Sequence, residues 1–317
     1  MAINTALTER LGIDHPVLCA PMARVSGGRL AAAVSQAGGL GLIGGGYGDQ
    51  DWIDTELAAA GNARIGIGFI TWRLEHFPDV LDRALERQPA AVMLSFGDER
   101  PFADRIKAAG AVLIAQVQSL GQAKRAADAG ADIVIAQGGE AGGHGAHRGT
   151  FSLVAEVVDA LPGIPVVAAG GIADGRGLAA ALMLGASGVL LGTRFVATEE
   201  SLAPDPAKRA VARESGDVTV KGSTFDKARG FTWPEPYALR TFSNSFSERW
   251  EGKDLPETAI AEFEAAAARA DMEIAPVVAG EAAGIISDVP SAIDLVPRIV
   301  AEAEQKLRGA AAFCDTP

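Results

Sequence analysis

Short runs of apolar, often β-branched residues recur through about the first 190 residues, separated by stretches with helical spacing. Most of these runs are almost continuously apolar rather than alternating, which is typical of parallel strands covered on both faces. The pattern predicts eight strands: Pro16 to Ala20, Leu40 to Ile43, Arg64 to Ile70, Ala90 to Phe96, Ala111 to Val117, Asp132 to Gln137, Pro165 to Ala169 and Ser187 to Leu191.

The connections repeat one unit, in which a helical stretch ends in glycine and leads into the next strand. Ser26 and Asp174 lie where N-caps would open helices. Alternating strands and helices imply right-handed crossovers and a parallel sheet, and eight strands in this length favour closure into a (β/α)₈ barrel, the TIM-barrel fold. The glycines that would close helices in the left-handed conformation are Gly38, Gly110, Gly130 and Gly185.

The strand and helix rhythm breaks after residue 204. Residues 205–280 are richer in charged and aromatic side chains and contain a helical run from Pro256 to Ala270. We therefore expect a mainly helical cap, inserted after strand eight on the substrate side. Apolar spacing within Ser291 to Arg308 predicts the last barrel helix. The predicted barrel thus comprises residues 1–204 and 281–317, and the cap comprises residues 205–280.

Composition narrows the class of ligand. The net charge of −12 would repel phosphate backbones and anionic lipids, which argues against nucleic acid or a membrane surface as partner and favours a small molecule. The two cysteines, Cys19 and Cys314, stand near opposite ends of the chain, so no disulfide framework or metal cluster is predicted. No apolar stretch reaches the roughly 18 residues of a membrane span. We expect a cytoplasmic protein.

Two glycine-containing loops follow the last predicted barrel strands. Strand seven runs into Gly170 and Gly171, and strand eight runs into Gly192 and Thr193. In such barrels a phosphate is commonly held by these two loops, where glycine lets backbone N–H groups approach an anion. The loops therefore predict a mononucleotide phosphate site. Tight turns without a ligand are the alternative explanation.

One histidine stands in the longest polar loop of the predicted barrel. His144 is surrounded by glycines in the loop from Gln137 to Gly145, so we expect it on mobile, solvent-reachable backbone at a strand end. Its ordinary pKa of about 6.5 suits proton transfer near neutral pH. A structural hydrogen-bonding role is the alternative, and His147 is a nearby second candidate. No metal site is predicted.

Several motifs together resemble the nitronate monooxygenase family, formerly called 2-nitropropane dioxygenases. They are APM at residues 20–22, DIVIAQGGEAGGHGAHRG, PVVAAGGIADGRG, GTRF and VVAGEAAGIISD. The resemblance spans nearly the whole chain and implies a flavin mononucleotide (FMN) enzyme. The implied reaction is the oxidation of alkyl nitronates, and of nitroalkanes in some members, by O₂ to a carbonyl compound and nitrite. A homo-oligomer is compatible with this resemblance.

The resemblance also assigns roles to residues of this chain. His144 matches the catalytic histidine, either as a base or as a contact to the substrate anion. The chain departs from the family in two places: an Asn is often found after strand three, where this chain reads Ile67-Gly68-Phe69-Ile70-Thr71, and some members carry Lys in place of Gln116. The implied cofactor contacts are Ala20, Pro21 and Met22 along the flavin edge, Gln116 and Gln137 toward the ring or ribityl chain, Gly142, and Ala169, Gly170, Gly171, Gly192 and Thr193 around the phosphate.

Two alternative functions remain open at this point. FMN enzymes that use NAD(P)H to reduce an enoyl thioester or a quinone share the same motifs. A flavin-free barrel lyase or isomerase would use the same phosphate loops, although no predicted strand ends in the Lys of a Schiff-base aldolase. The aromatic and basic run from Lys227 to Trp250 either lines a substrate pocket or packs the cap.

Overall fold

A closed barrel of eight parallel strands forms the centre of the molecule in a computed structural model, which describes residues 3–313. Each of the eight predicted strands is present, and the predicted (β/α)₈ fold is confirmed. Cys314 lies outside the described residues. In barrel order the strands are β1 (Val17–Cys19), β2 (Leu40–Gly46), β3 (Gly66–Ile70), β4 (Ala91–Ser95), β5 (Val112–Val117), β6 (Ile133–Gln137), β8 (Val166–Ala169) and β9 (Gly188–Leu191).

Helices cover the outside of the barrel, and the chain order places them between the strands. Within the described residues, no helix is both long and apolar enough to cross a bilayer. The helices of the first 200 residues and the last helix are α1 (Ala6–Leu11), α2 (Gly28–Gln36), α3 (Gln50–Ala59), α4 (Thr71–Leu74), α5 (Asp79–Leu85), α6 (Arg100–Ala108), α7 (Leu120–Asp128), α8 (Thr150–Ala160), α9 (Gly175–Met183), α10 (Thr193–Val196) and α15 (Ala292–Gly309).

Residues 205–280, which lie between β9 and α15 and are called the inserted segment below, contain both helices and strands. A three-stranded antiparallel sheet, in the order β10, β11, β7, was not predicted; its strands are β7 (Gly143–Gly145), β10 (Thr219–Gly222) and β11 (Ala238–Phe242). β7 belongs to the loop after β6, so this sheet joins that loop to the inserted segment. The helices of the segment are α11 (Asp205–Val211), α12 (Thr224–Ala228), α13 (Ser245–Trp250) and α14 (Glu257–Ala268), the last of which matches the predicted helical run.

The helix ends show why the chain turns where it does. Asp174 caps α9, where its side chain accepts a hydrogen bond from the Gly177 N–H, as predicted. The prediction for Ser26 is wrong, because the N-cap of α2 is Gly27. Ser26 instead donates from Oγ to the Ala20 carbonyl at 2.9 Å. The predicted closing glycines all have positive φ: Gly38 (91°), Gly110 (78°), Gly130 (82°) and Gly185 (90°).

The barrel interior is apolar up to its C-terminal mouth. Side chains of a strand alternate between the two faces of the sheet, so residues two apart share the interior. Ile114 and Ile135 are fully buried inside the barrel, and Gln116 and Gln137 follow them by two positions. The side chains of Gln116 and Gln137 therefore bring polar groups into the uppermost interior layer, directly below the loops that follow the strands.

The segment after β1, which includes Ala20, Pro21 and Met22, crosses this mouth very close to the backbone of β2 and β3. A Cβ atom at Gly44 would lie 2.3 Å from the Met22 carbonyl oxygen, and a Cβ atom at Gly68 would lie 2.3 Å from Pro21 Cγ. Side chains at these two strand positions would displace the crossing segment. Glycine in β2 and β3 therefore allows Pro21 and Met22 to lie over the barrel.

The close approach predicts a difference between two glycine substitutions. Gly44→Ala is expected to lower the free energy of unfolding by about 1–3 kcal/mol, the range for overpacked sites. Gly121→Ala, in an exposed turn of α7 with no atom near the added Cβ, is expected to be neutral or to stabilise by up to about 1 kcal/mol. Urea denaturation measures both values. Equal effects would show that the crossing does not require glycine.

Candidate active site

The mouth of the barrel holds polar side chains that lack protein partners. Gln116 is 6% exposed, and its side chain makes no hydrogen bond to any described residue. Gln118 donates from Nε2 to Gln137 at 2.9 Å, but its own Oε1 is buried without a partner. Thr71 Oγ1, after β3, is likewise buried and unpaired. Because unpaired buried polar atoms are costly, this mouth fits a polar ligand that covers it.

The two predicted phosphate loops lie at neighbouring strand ends. Gly170 and Gly171 follow β8 with φ of 100° and 72°, a conformation that strongly favours glycine. In the described part of the chain, no acceptor is bonded to the backbone N–H of Gly171 or of Thr193. Thr193 Oγ1 accepts a hydrogen bond from the Gly280 N–H at 2.9 Å. The loops therefore present free backbone donors, as a phosphate site requires.

Glu140 is an acidic residue that lies beside the first of these loops. A Cβ atom at Gly171 would lie 3.4 Å from Glu140 Cβ. The Glu140 carboxylate, however, accepts hydrogen bonds from the backbone N–H and the hydroxyl of Thr150, the first residue of α8. Its charge is thus compensated by the N-terminus of that helix and does not oppose an anion between the loops.

The predicted mobility of His144 is wrong. His144 lies in β7, which pairs with β11 so that His144 is opposite Leu239, and its side chain is only 9% exposed. The Gly-rich sequence has the composition of a loop, but a distant strand pairs with it. Gly142, one residue before β7, packs against the backbone of Gly280. The histidine is therefore held in a sheet and covered.

The ring of His144 has two neighbours from the inserted segment. Its Nε2 lies 2.9 Å from Asp226 Oδ2, and Trp233 stacks on the imidazole with ring centroids 3.4 Å apart and an interplanar angle of 10°. Burial lowers the pKa of His144 below its ordinary value, and Asp226 only partly offsets that effect. A lowered pKa favours the neutral imidazole, which is the form able to accept a proton.

Aromatic side chains cluster beside His144. The ring centroids of Phe96 and Trp72 lie 5.2 Å and 5.5 Å from that of Trp233, and both pairs have edge-on geometry. The ring centroids of Tyr237 and Phe96 are 5.0 Å apart. Phe96 follows β4 with a φ of 65°, a strained conformation that directs its ring into this group. We refer to Trp72, Phe96, Trp233 and Tyr237 as the aromatic enclosure.

The aromatic residues of the run from Lys227 to Trp250 lie in two different places. Trp233 and Tyr237 line the enclosure, whereas Phe246 is fully buried with Phe225 and Phe263 in an apolar core of the inserted segment. Asp226 was not predicted as a site residue, and Trp233 was considered only as part of the run from Lys227 to Trp250. Two prolines near Trp233 indicated only a turn, and no local signal distinguished Asp226 from other acidic residues.

The predicted cofactor residues mostly converge on the barrel mouth. Ala20 donates its N–H to the Leu191 carbonyl at 2.9 Å, which brings the start of the crossing segment beside Gly192. A Cβ atom at Gly192 would lie 3.7 Å from Ala20 Cβ and 3.8 Å from Met22 Sδ. Cys19 belongs to the core outside the barrel, where burial raises the pKa of its thiol, so it is not a nucleophile for this site.

Comparison with known proteins extends this picture. Residues 4–65 and 70–302 match the family model described as Nitronate monooxygenase. Nitronate monooxygenase npaC of Metarhizium robertsii is 41% identical, with 72% of each chain covered. The Mycobacterium tuberculosis protein named (3aS,4S,5R,7aS)-5-hydroxy-7a-methyl-1-oxo-octahydro-1H-indene-4-carboxyl-CoA dehydrogenase is 32% identical, covering 99% of this chain and 100% of that protein.

Solved structures show the same architecture. FabK from Thermotoga maritima superposes with a TM-score of 0.86 at 31% identity, covering 98% of this chain and 99% of that one. Nitroalkane oxidase from Streptomyces ansochromogenes superposes with a TM-score of 0.81 at 29% identity, covering 97% of this chain and 100% of that one.

The lowered pKa of His144 predicts a pH dependence of stability. The unfolded chain binds this proton more readily than the folded protein, so the free energy of unfolding is expected to fall as pH drops through the ordinary histidine range near 6.5. The loss continues until the pH passes below the pKa of the folded state. His144→Asn is expected to remove this part of the slope below about pH 7, whereas substitution of the exposed His147 (His147→Asn) retains it. Identical urea-denaturation profiles for wild type and His144→Asn would contradict the assignment.

Proposed function

Because this chain belongs to the nitronate monooxygenase family of oxidoreductases, we propose that it binds FMN at the barrel mouth and uses O₂ to oxidise alkyl nitronates to carbonyl compounds and nitrite. The observation that carries this proposal is the placement of His144, which is bound to Asp226 and stacked on Trp233 within a small aromatic enclosure at that mouth. One proton acceptor beside apolar rings suits a compact alkyl chain that ends in a nitro or nitronate group.

The residues at the mouth fit a mononucleotide. The free N–H groups of Gly171 and Thr193 would hold one phosphate. The unpartnered amide of Gln116 and the buried Oε1 of Gln118 would hydrogen-bond to the polar edge of a ring or to a ribityl chain. Pro21 and Met22 would lie along the edge of that ring. Bound flavin supplies the electron transfer from substrate and the reaction with O₂.

This chain's own residues position the substrate. Trp233 and Phe96 exclude water from one side, which strengthens the interaction between His144 and a charged group. His144 accepts a proton from a neutral nitroalkane or, once protonated, binds the oxygen atoms of a nitronate. Phe96 and Tyr237 would bound the alkyl chain. The same geometry therefore serves both substrate classes that the resemblance implies.

A second candidate is supported by one specific finding. The M. tuberculosis relative, whose name describes a coenzyme A thioester dehydrogenase, matches this chain over its whole length. This name supports redox chemistry on a thioester, although in the oxidising direction; the alternative function is the opposite direction, NAD(P)H-dependent reduction of an enoyl thioester with FMN at the same mouth. A flavin-free lyase or isomerase finds no support among these relatives, and a quinone substrate has no observation in its favour.

The phosphate assignment predicts a charge effect at Gly192. Its φ of −103° suits any residue, and an added Cβ would meet no atom closer than 3.7 Å. Gly192→Asp would place a carboxylate beside the Thr193 N–H and is expected to purify with little flavin, whereas the isosteric but neutral Gly192→Asn retains most of it. Visible spectra and chromatography of the released flavin measure this. Equal retention would place the phosphate elsewhere, and flavin adenine dinucleotide in the wild type would contradict the single-phosphate site.

Anaerobic reduction separates the two candidate functions. The wild type is mixed without O₂ with an alkyl nitronate, with NADH or with NADPH, and the visible absorbance of the flavin is followed. We expect the nitronate to bleach the flavin, and nitrite and a carbonyl compound to form with continued turnover once O₂ is admitted. If the nitronate has no effect while NAD(P)H bleaches the flavin and an enoyl thioester restores it, the reductase alternative is correct.

A further inference from the structure

Asp226 lies on α12, far in sequence from the loop that carries His144, yet it binds the imidazole directly. We propose that Asp226 is the positioning residue that makes His144 a base, because it holds the imidazole in the tautomer whose Nδ1 has the free lone pair. The activity test of this inference rests on the proposed function, whereas its spectroscopic test does not.

The hydrogen bond itself determines the tautomer. A carboxylate offers only acceptors, so the hydrogen between Asp226 Oδ2 and His144 Nε2 must be carried by Nε2. A neutral imidazole has a single N–H, which leaves Nδ1 unprotonated. Nδ1 makes no hydrogen bond to any residue in the described part of the chain and is not a buried atom. Nδ1 is therefore the nitrogen available to a substrate proton.

Asp226 is well fixed for this role. It is 2% exposed, and its second oxygen, Oδ1, accepts a hydrogen bond from Arg229 at 2.8 Å. Trp233 stacks on the imidazole and fixes the plane of the ring. Asp226 and Trp233 both belong to residues 205–280, whereas His144 belongs to the loop after β6. The base is therefore assembled only where the inserted segment packs on the barrel.

The proton step follows from this arrangement. A neutral nitroalkane loses the proton on the carbon next to its nitro group; the C–H bond breaks, and its electron pair delocalises onto the nitro oxygens to give the nitronate. The proton binds to Nδ1, and Asp226 stabilises the resulting imidazolium, as the carboxylate does in a Ser-His-Asp triad. A nitronate supplied ready-made does not need this step. Asp226 should therefore matter more for nitroalkanes than for nitronates.

Asp226→Asn tests the activity. Its amide can donate a hydrogen bond to Nε2, which permits the tautomer with the hydrogen on Nδ1 and removes the base from the substrate side. We expect turnover of a neutral nitroalkane to fall on the order of 10²-fold or more, with a much smaller loss for the corresponding nitronate at equal flavin content. Asp254→Asn, an exposed charge change in the same segment, should match wild type with both substrates. Equal losses with both substrates would overturn the proposal.

Nitrogen-15 NMR of labelled histidine tests the tautomer directly. The chain has four histidines, and the His144 signals are those lost in His144→Asn. At about pH 8, above the ordinary histidine pKa, wild type should show His144 protonated on Nε2, and Asp226→Asn should lose that preference. A wild-type spectrum with the hydrogen on Nδ1 overturns the proposal. If nitro compounds prove inert, the proposed function fails and the spectra alone decide the role of Asp226; if Asp226→Asn does not fold, the wild-type spectrum still decides it.

Discussion

Closure of the parallel barrel is the constraint on which the site depends. All eight strands point the same way, so every loop that follows a strand opens at one mouth. β9 pairs with both β8 and β1, which makes Gly171, Gly192 and Ala20 neighbours although they are far apart in sequence. The two-residue alternation then directs Gln116 and Gln137 to the interior. The barrel therefore sets the positions of both the free N–H groups and the polar floor.

The pairing of β7 with β11 adds what the barrel alone lacks. A glycine-rich loop would leave His144 in water, with its ordinary pKa and no fixed orientation. In the antiparallel sheet the loop backbone is bonded to the inserted segment, which also brings Asp226 and Trp233 to the imidazole. Burial and orientation of the histidine thus have one origin, which is the packing of residues 205–280 against the loop that follows β6.

The sequence predicted those parts of the molecule that are encoded locally. Barrel strands are short apolar runs and helix ends carry glycine at a fixed position, so eight strands and four helix ends could be located without knowledge of the partners. The strands β7, β10 and β11 could not be located in this way, because each is short and mixed in polarity and its partners lie far away in the chain. Because this long-range pairing leaves no local signal, His144 was wrongly expected to be mobile. Asp226 was missed because only the folded chain brings it to the imidazole.

The mouth differs from the rest of the barrel in how its polar atoms are satisfied. Deeper in the barrel the interior is wholly apolar, whereas Thr71 Oγ1 and Gln118 Oε1 are buried at the mouth without partners. Each such atom costs about 1–3 kcal/mol, so the fold sustains a deficit where the strands end. A ligand that hydrogen-bonds there recovers that cost, whereas an apolar molecule does not. The unpaired atoms therefore favour a ligand with hydrogen-bonding groups at this level of the barrel, whereas the aromatic side chains beside His144 favour apolar contacts.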